Sequence, residues 1–182
     1  MRRFWESQLI NNKNASDNES FNKEMLSIEM ARESDIDSVK QLELESGLSS
    51  WTLNDYIHEI ERSDSIFLIV KKEGRTIGFL LARLIINSPN DLSSAPANEI
   101  EIYNIAIEKK SQSISIGTTL LDKLIQIGQK NNTGKINLEV RKSNINALSF
   151  YKKNNFEVVG VRKNFYSNPT EDAILMTRNL TL

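Results

Sequence analysis

Glu99-Ile100-Glu101-Ile102-Tyr103-Asn104-Ile105-Ala106-Ile107, then Gly117 to Lys130, then Lys135-Ile136-Asn137-Leu138-Glu139-Val140-Arg141 is the stretch that decides the fold. The outer segments alternate with the period of two that marks strands. The middle segment sets Leu120, Leu121, Leu124 and Ile125 on one helical face. A strand, a helix and a strand of these lengths make a β-α-β unit, whose two strands run parallel. The crossover is right-handed, so its helix covers one face of the sheet.

Upstream, Leu26, Ile28 and Met30 alternate with Ser27 and Glu29 as a half-buried strand. Ser34-Asp35-Ile36-Asp37 opens a helix carrying Ile36, Val39, Leu42 and Leu44, with acidic residues in its first turn as the helix dipole favours. Thr52-Leu53-Asn54-Asp55 reads as the cap of a second helix running to about Arg62. Ser65 to Lys71, the turn Lys72-Glu73-Gly74-Arg75 and Thr76 to Ile85 form an antiparallel hairpin, and Asn87 to Asn98 is a loop. Downstream, Ile145 to Lys153 is a helix, while Glu157 to Arg162 and Ala173 to Arg178 are strands. This order predicts an α/β chain (α+β in some schemes) with a mixed sheet of six to seven strands and about four helices.

Composition removes several chemistries. The chain has 182 residues and a mass of 20.8 kDa, which suits one domain with a short appendage. Lys and Arg total 23 against 24 Asp and Glu, a net charge of −1 that gives no global attraction to nucleic acid or anionic membranes. With no cysteine and one histidine, His58, a thiolate nucleophile, cysteine-ligated metal and a multi-histidine metal site are excluded. Ile66 to Val70 is among the longest apolar runs, far short of the ~20 residues of a membrane helix. No secretory leader pattern is seen, and the expected compartment is the cytoplasm. Residues 1–24, where Asn11 to Ser20 has almost nothing to bury, are expected to be a disordered or loosely docked extension.

Lys109-Lys110-Ser111-Gln112-Ser113-Ile114-Ser115-Ile116-Gly117 joins a strand to a helix. Unpaired N–H groups and the positive dipole end at such a helix start are a seat for phosphate. Gly117 is expected to let the backbone approach a ligand or to take a φ that other residues resist. The plainer reading is a small-residue loop capping an ordinary helix.

This loop lies between the Ile102–Ile107 strand and Leu138-Glu139-Val140-Arg141-Lys142-Ser143-Asn144. With Ala147-Leu148-Ser149-Phe150-Tyr151-Lys152-Lys153-Asn154-Asn155-Phe156, Gly160-Val161-Arg162-Lys163-Asn164-Phe165-Tyr166 and Glu171-Asp172-Ala173-Ile174-Leu175-Met176, these segments resemble the GNAT superfamily of acyl-CoA-dependent N-acetyltransferases. Within it they look most like bacterial ribosomal-protein alanine N-acetyltransferases. The resemblance covers about Leu26 to Leu180 and is specific over 102–176. It implies a central parallel strand pair that splays, acetyl-CoA as co-substrate, no metal, and an N-acetyltransferase domain over 25–182. The implied acceptor is a protein or peptide N-terminus, a ribosomal protein being one candidate, with no direct nucleic-acid or membrane partner and a monomeric or weakly dimeric state.

The family's pyrophosphate loop reads Gln/Arg-x-x-Gly-x-Gly/Ala; here Gln112 and Gly117 keep the outer positions and Ser115 replaces the middle glycine. By resemblance, the acyl donor is held by Ile105, Ala106, Ile107, Gln112, Ser113, Ile114, Ser115, Ile116, Gly117, Thr118, Asn144 and Tyr151. Glu139 matches the general base, with Glu101 as its rival one strand over. Tyr151, twelve residues after Glu139, matches the tyrosine that assists the departing CoA. The acceptor side takes Trp51, Glu101, Tyr103, Asn104 and Tyr166. Trp51-Thr52 matches a Pro-Trp-Ser/Thr signature without its proline, and Phe165-Tyr166 an Asn-Tyr-Tyr hairpin.

Each residue also has a plainer reading. Glu139 would be a strand-end carboxylate paired with Arg141 or a lysine, Tyr151 core packing, and Asn144 a helix cap. Trp51, Phe165 and Tyr166 would be core or hairpin aromatics. The chemistry itself asks little: an α-amine of pKa ~8 is roughly a tenth neutral at pH 7, a penalty of about 1.4 kcal/mol against about 4.6 for a lysine. One carboxylate, acting through water, is then a sufficient base. A small-molecule amine as acceptor, or a non-catalytic acyl-CoA-binding module, are the alternatives.

Overall fold

The computed structural model describes residues 26–48, 51–87, 98–112 and 115–180. The expectations placed on residues 1–24, on most of the 87–98 loop, and on Ser113 and Ile114 lie outside the described residues. In chain order the elements are β1 (Leu26–Met30), α1 (Ile36–Ser46), α2 (Leu53–Glu61), β2 (Ser65–Lys72), β3 (Arg75–Ile85) and β4 (Asn98–Ile107). They continue with α3 (Ile116–Lys130), β5 (Thr133–Arg141), α4 (Ile145–Lys153), β6 (Glu157–Ser167) and β7 (Thr170–Asn179). The seven strands form one sheet in the order β1-β2-β3-β4-β5-β7-β6, the mixed α/β architecture expected. Among the described residues no helix is long and apolar enough to cross a membrane.

The chain divides into two compact units, one running to Leu80 and including Ile105–Leu120, the other made of Leu81–Asn104 and the chain from Leu121. In the first, β1 lies antiparallel on β2, from Leu26↔Lys72 to Met30↔Leu68. Lys71 bridges Glu29 at 2.7 Å and buried Asp35 at 2.8 Å. α1 buries Ile36, Val39, Leu42 and Glu43. Leu44, expected on that face, is 70% exposed: at 100° per residue it falls outside the stripe. Gly47, at φ 64°, ends the helix in the left-handed conformation.

α2 starts where the sequence places it. Asp55 N–H donates to Thr52 Oγ1 at 3.2 Å and Thr52 N–H to Asp55 Oδ2 at 2.7 Å, a reciprocal capping box. β2 and β3 each extend one residue beyond expectation and leave a two-residue turn. Both Glu73 (φ 51°) and Gly74 (φ 78°) are left-handed there, as a twisted hairpin requires. The core gathers Tyr56, Phe67 and Phe79, with ring centroids 5.7 to 6.3 Å apart. Gly78 faces this core's rim so closely that a Cβ would stand 2.5 Å from Ile107 Cδ1 and 2.9 Å from the Ala106 carbonyl oxygen.

In the second unit β4 and β5 are parallel, from Asn98↔Thr133 to Ile102↔Leu138, and β5 pairs antiparallel with β7. Ile100, Leu121, Leu124, Ile136, Leu138 and Met176 are buried. The β6–β7 hairpin runs to Ser167 and from Thr170, longer than the expected 157–162 and 173–178. Polar Lys163 and Asn164 conceal the strand, and two register shifts, between Val158 and Gly160 and between Arg162 and Tyr166, absorb its extra residues.

Candidate active site

The pairing of β4 with β5 ends at Ile102↔Leu138, although β4 continues to Ile107 and β5 to Arg141. Within the second unit, Tyr103 and Asn104 therefore lie beyond the last pair of this ladder. Glu101 is level with Asn137, two residues before Glu139, so Glu101, Tyr103 and Glu139 occupy one sheet face. Tyr103 Oη donates to Glu101 Oε2 at 3.2 Å, and the Arg83 guanidinium stands 5.0 Å from the Tyr103 ring centroid. Asn104, grouped with them in the sequence, alternates to the opposite face. It is 7% exposed, and its Nδ2 has no hydrogen-bond partner among the described residues. Such an orphaned donor costs about 1–3 kcal/mol until something accepts from it.

The Glu139 side chain is 24% exposed, and Arg162 Nη1 donates to its Oε1 at 3.0 Å. The partner is neither Arg141 nor a lysine, as the sequence had it. Arg141 is engaged elsewhere: by Glu171 Oε2 and the carbonyls of Asn168 and Pro169, each at 3.3 Å, and by the Tyr166 ring at 4.2 Å. Register explains the exchange. Glu139 pairs with Leu175 and Leu175 with Gly160, so Arg162 lies two residues along on the same face. Its guanidinium also stacks on Phe165 at 4.2 Å.

Tyr166 is half-buried; burial pushes its phenol up, and the Glu139 charge adds to that while Arg141 opposes it. Tyr151 in α4 is 5% exposed and flanked by Phe150 and Phe156 at 5.2 and 5.4 Å. Burial raises its phenol well above the ordinary tyrosine value, with Tyr166 adding a smaller push. It keeps its proton at neutral pH and is suited to donate a hydrogen bond rather than to release the proton. Asn144 N-caps α4, its Oδ1 accepting from Ala147 N–H at 3.0 Å, and the neighbouring Ser143 N–H donates to Glu171.

The first unit holds the strand end Ile105-Ala106-Ile107 and the start of α3. Gln112 Nε2 donates to the Ile107 carbonyl at 3.0 Å, tying the loop to the strand. Glu108 is gripped by Arg75 at 2.7 and 3.0 Å and by Ser111 at 3.1 Å, and chiefly the Arg75 guanidinium holds its carboxyl down to about 2. α3 begins at Ile116, so Gly117 and Thr118 lie within its first turn. The left-handed φ expected at Gly117 is taken by Ser115 (φ 55°), whose carbonyl accepts from Thr119 N–H at 3.0 Å. A side chain in that conformation costs about 1–2 kcal/mol, a reason for glycine at this point of such a loop. Trp51, in the same unit, packs its ring 5.5 Å from that of Tyr56. Among the described residues no group of three or more His, Asp or Glu side chains could hold a metal ion.

The arrangement brings two carboxylates, Glu139 and Glu171, two phenols and two guanidiniums to one end of the second unit, and sets a helix start after a strand end in the first. Arg162, Glu171 and Glu43 were not singled out by the sequence reading. Only Glu43 carried a local signal, an acid inside an apolar helical stripe.

Comparison with known proteins adds a lineage. The model of the acetyltransferase (GNAT) family matches residues 36–156. A Bacillus subtilis protein, provisionally named a [ribosomal protein bS18]-alanine N-acetyltransferase, is 31% identical over 143 residues, covering 78% of this chain and 87% of the relative. An N-alpha-acetyltransferase of Sulfolobus acidocaldarius is 28% identical over 156 residues, 84% of this chain and 92% of its own. The crystal structure of the ribosomal-protein-S18-alanine N-acetyltransferase from Escherichia coli shares the fold, with a TM-score of 0.73 at 22% identity, over 87% of this chain and 96% of the other. With the family model spanning most of the chain and a relative above 30% identity aligned along most of both sequences, this chain belongs to the acetyltransferase (GNAT) family.

Proposed function

We propose that residues 25–182 transfer acetyl from acetyl-CoA to the N-terminal α-amine of a protein, by direct attack within a ternary complex. The Glu139 carboxylate on one sheet face with Glu101 and Tyr103, just past the last β4–β5 pair, is the observation that carries this reading. The names of the Bacillus and Sulfolobus relatives support an N-terminal amine as acceptor, and the former supports a ribosomal protein.

The residues present suit an acyl-CoA. The first turn of α3 offers unpaired N–H groups to a pyrophosphate, behind a loop turned by Ser115. The β4 segment Ile105–Ile107 offers backbone groups to the pantetheine amides, and Asn104 an unpartnered amide donor. Acetyl-CoA supplies a thioester-activated acyl group. Glu139 is assigned the proton of the acceptor amine, through Oε2 because Oε1 holds Arg162. Tyr151 keeps its own proton and stabilises, by hydrogen bonding, the CoA thiolate released as the C–S bond breaks and the C–N bond forms. Trp51, Glu101, Tyr103 and Tyr166 are assigned to the acceptor.

The test is acetyl transfer to a library of peptides differing in their first three residues, read by mass spectrometry. We expect label on the α-amine and a ranking set by those residues. Label confined to lysine side chains or small amines would overturn the acceptor assignment, and an absence of acetyl-CoA binding at millimolar ligand would overturn the whole reading.

A further inference from the structure

α1 carries a carboxylate where its neighbours are apolar. Glu43 is 1% exposed. Its Oε1 accepts from the Trp51 N–H at 2.9 Å and from the Tyr56 hydroxyl at 2.9 Å. Its Oε2 meets Lys40 Nζ at 2.5 Å, and the same ammonium donates to the Trp51 carbonyl. Both polar groups of one backbone residue are thus taken by a single ion pair from the preceding helix, eight and eleven positions upstream. Immediately after Trp51, Thr52 is locked by the α2 capping box.

Burying a carboxylate is a poor route to stability, because its desolvation offsets most of the attraction of the partly exposed Lys40; well-packed apolar residues serve a core as well. What the pair supplies is direction. It fixes the Trp51 N–H and C=O together and so sets the course by which the indole leaves the backbone, against the buried Tyr56 ring.

We propose that Glu43, acting with Lys40, is a positioning residue that presents Trp51 to the acceptor peptide. The inference rests on the assignment of Trp51 to the acceptor side. It is tested on the full chain with a synthetic peptide bearing a free N-terminal alanine. Glu43→Gln keeps the volume and loses the charge that holds Lys40. The peptide KM should rise about tenfold, while kcat and the Kd for acetyl-CoA each change less than about twofold. An unchanged KM, or equal losses in all three parameters, would overturn it.

Lys40→Met/Glu43→Gln removes both charges together and covers the case in which the single variant folds poorly. Its thermal midpoint should recover while the peptide KM stays high; recovery of both would mean a merely structural pair. Trp51→Ala separates the two layers of the argument. If it leaves KM unchanged, the Trp51 assignment fails and the inference with it; if it raises KM where Glu43→Gln does not, only the inference fails.

Discussion

In β2 the six residues from Ser65 to Val70 are all buried, whereas along β6 every residue from Glu157 to Ser167 is exposed except half-buried Gly160 and Tyr166. The β2–β3 hairpin is held by what it removes from water, with Phe67 and Phe79 fully enclosed. The β6–β7 hairpin is held by its ladder and by charged side chains. Asp172 accepts from Asn164 N–H and Lys163 Nζ, each at 3.1 Å, and Glu171 from Ser143 N–H and Arg141. The first arrangement makes a scaffold. The second leaves Arg162 and Phe165 exposed and Tyr166 half-buried while the backbone beneath them stays paired.

The sharpest way to break this contrast is stability. Phe67→Ala should cost about 3–5 kcal/mol in urea unfolding and Val159→Ala less than about 0.5, because only the former leaves a cavity. Similar costs would mean that the two hairpins are not built differently. Activity should follow the opposite map. Glu139→Gln should lower kcat/KM about a hundredfold in steady-state assays, with its unfolding midpoint nearly unmoved because the exposed pair with Arg162 contributes little. Wild-type turnover in that variant would transfer the role of base to Glu101. Tyr151→Phe should lower kcat about tenfold with acetyl-CoA affinity nearly intact by calorimetry, the effect of losing one hydrogen bond to developing charge.

Acid provides the mildest contrast. Hydrogen bonds hold the carboxyls of Glu171 and Asp172 below their ordinary values of 4.5 and 3.8. A carboxyl depressed by folding contributes stability above its unfolded pKa and loses that contribution as pH falls through the folded one. Amide exchange at Ser143 and Asn164 should therefore speed up, relative to the β2 core, as pH drops from about 5 toward 3. Glu108, held near 2 by Arg75, should keep its bonds to Arg75 and Ser111 well below its ordinary value of 4.5. Uniform acceleration across the chain would refute this ordering.

Periodicity made much of this architecture legible. The alternation in β1, β4 and β5, the Thr52–Asp55 box and the crossover helix were readable because each signal is local. Pairings that depend on register were not. Glu139 meets Arg162 across 23 positions and an intervening strand, through a bulged ladder that no spacing announces. Leu44 reads as buried by apolar character although helical phase turns it outward, and Glu43 reads as solvated, as acids on helices usually are, although it is enclosed. The strained loop position also moved: Ser115, not Gly117, is left-handed, since Gly117 is already inside the helix.

Gly78 occupies a place where a side chain would act at a distance. Its missing side chain is the room into which Ala106 and Ile107 press, and the Ala106 oxygen, as backbone, cannot swing aside as a flexible side chain would. A methyl group placed there would work as a wedge, displacing the strand end assigned to the acyl donor without altering any residue of that end. A side chain at this one position would reach the assigned donor grip without touching it.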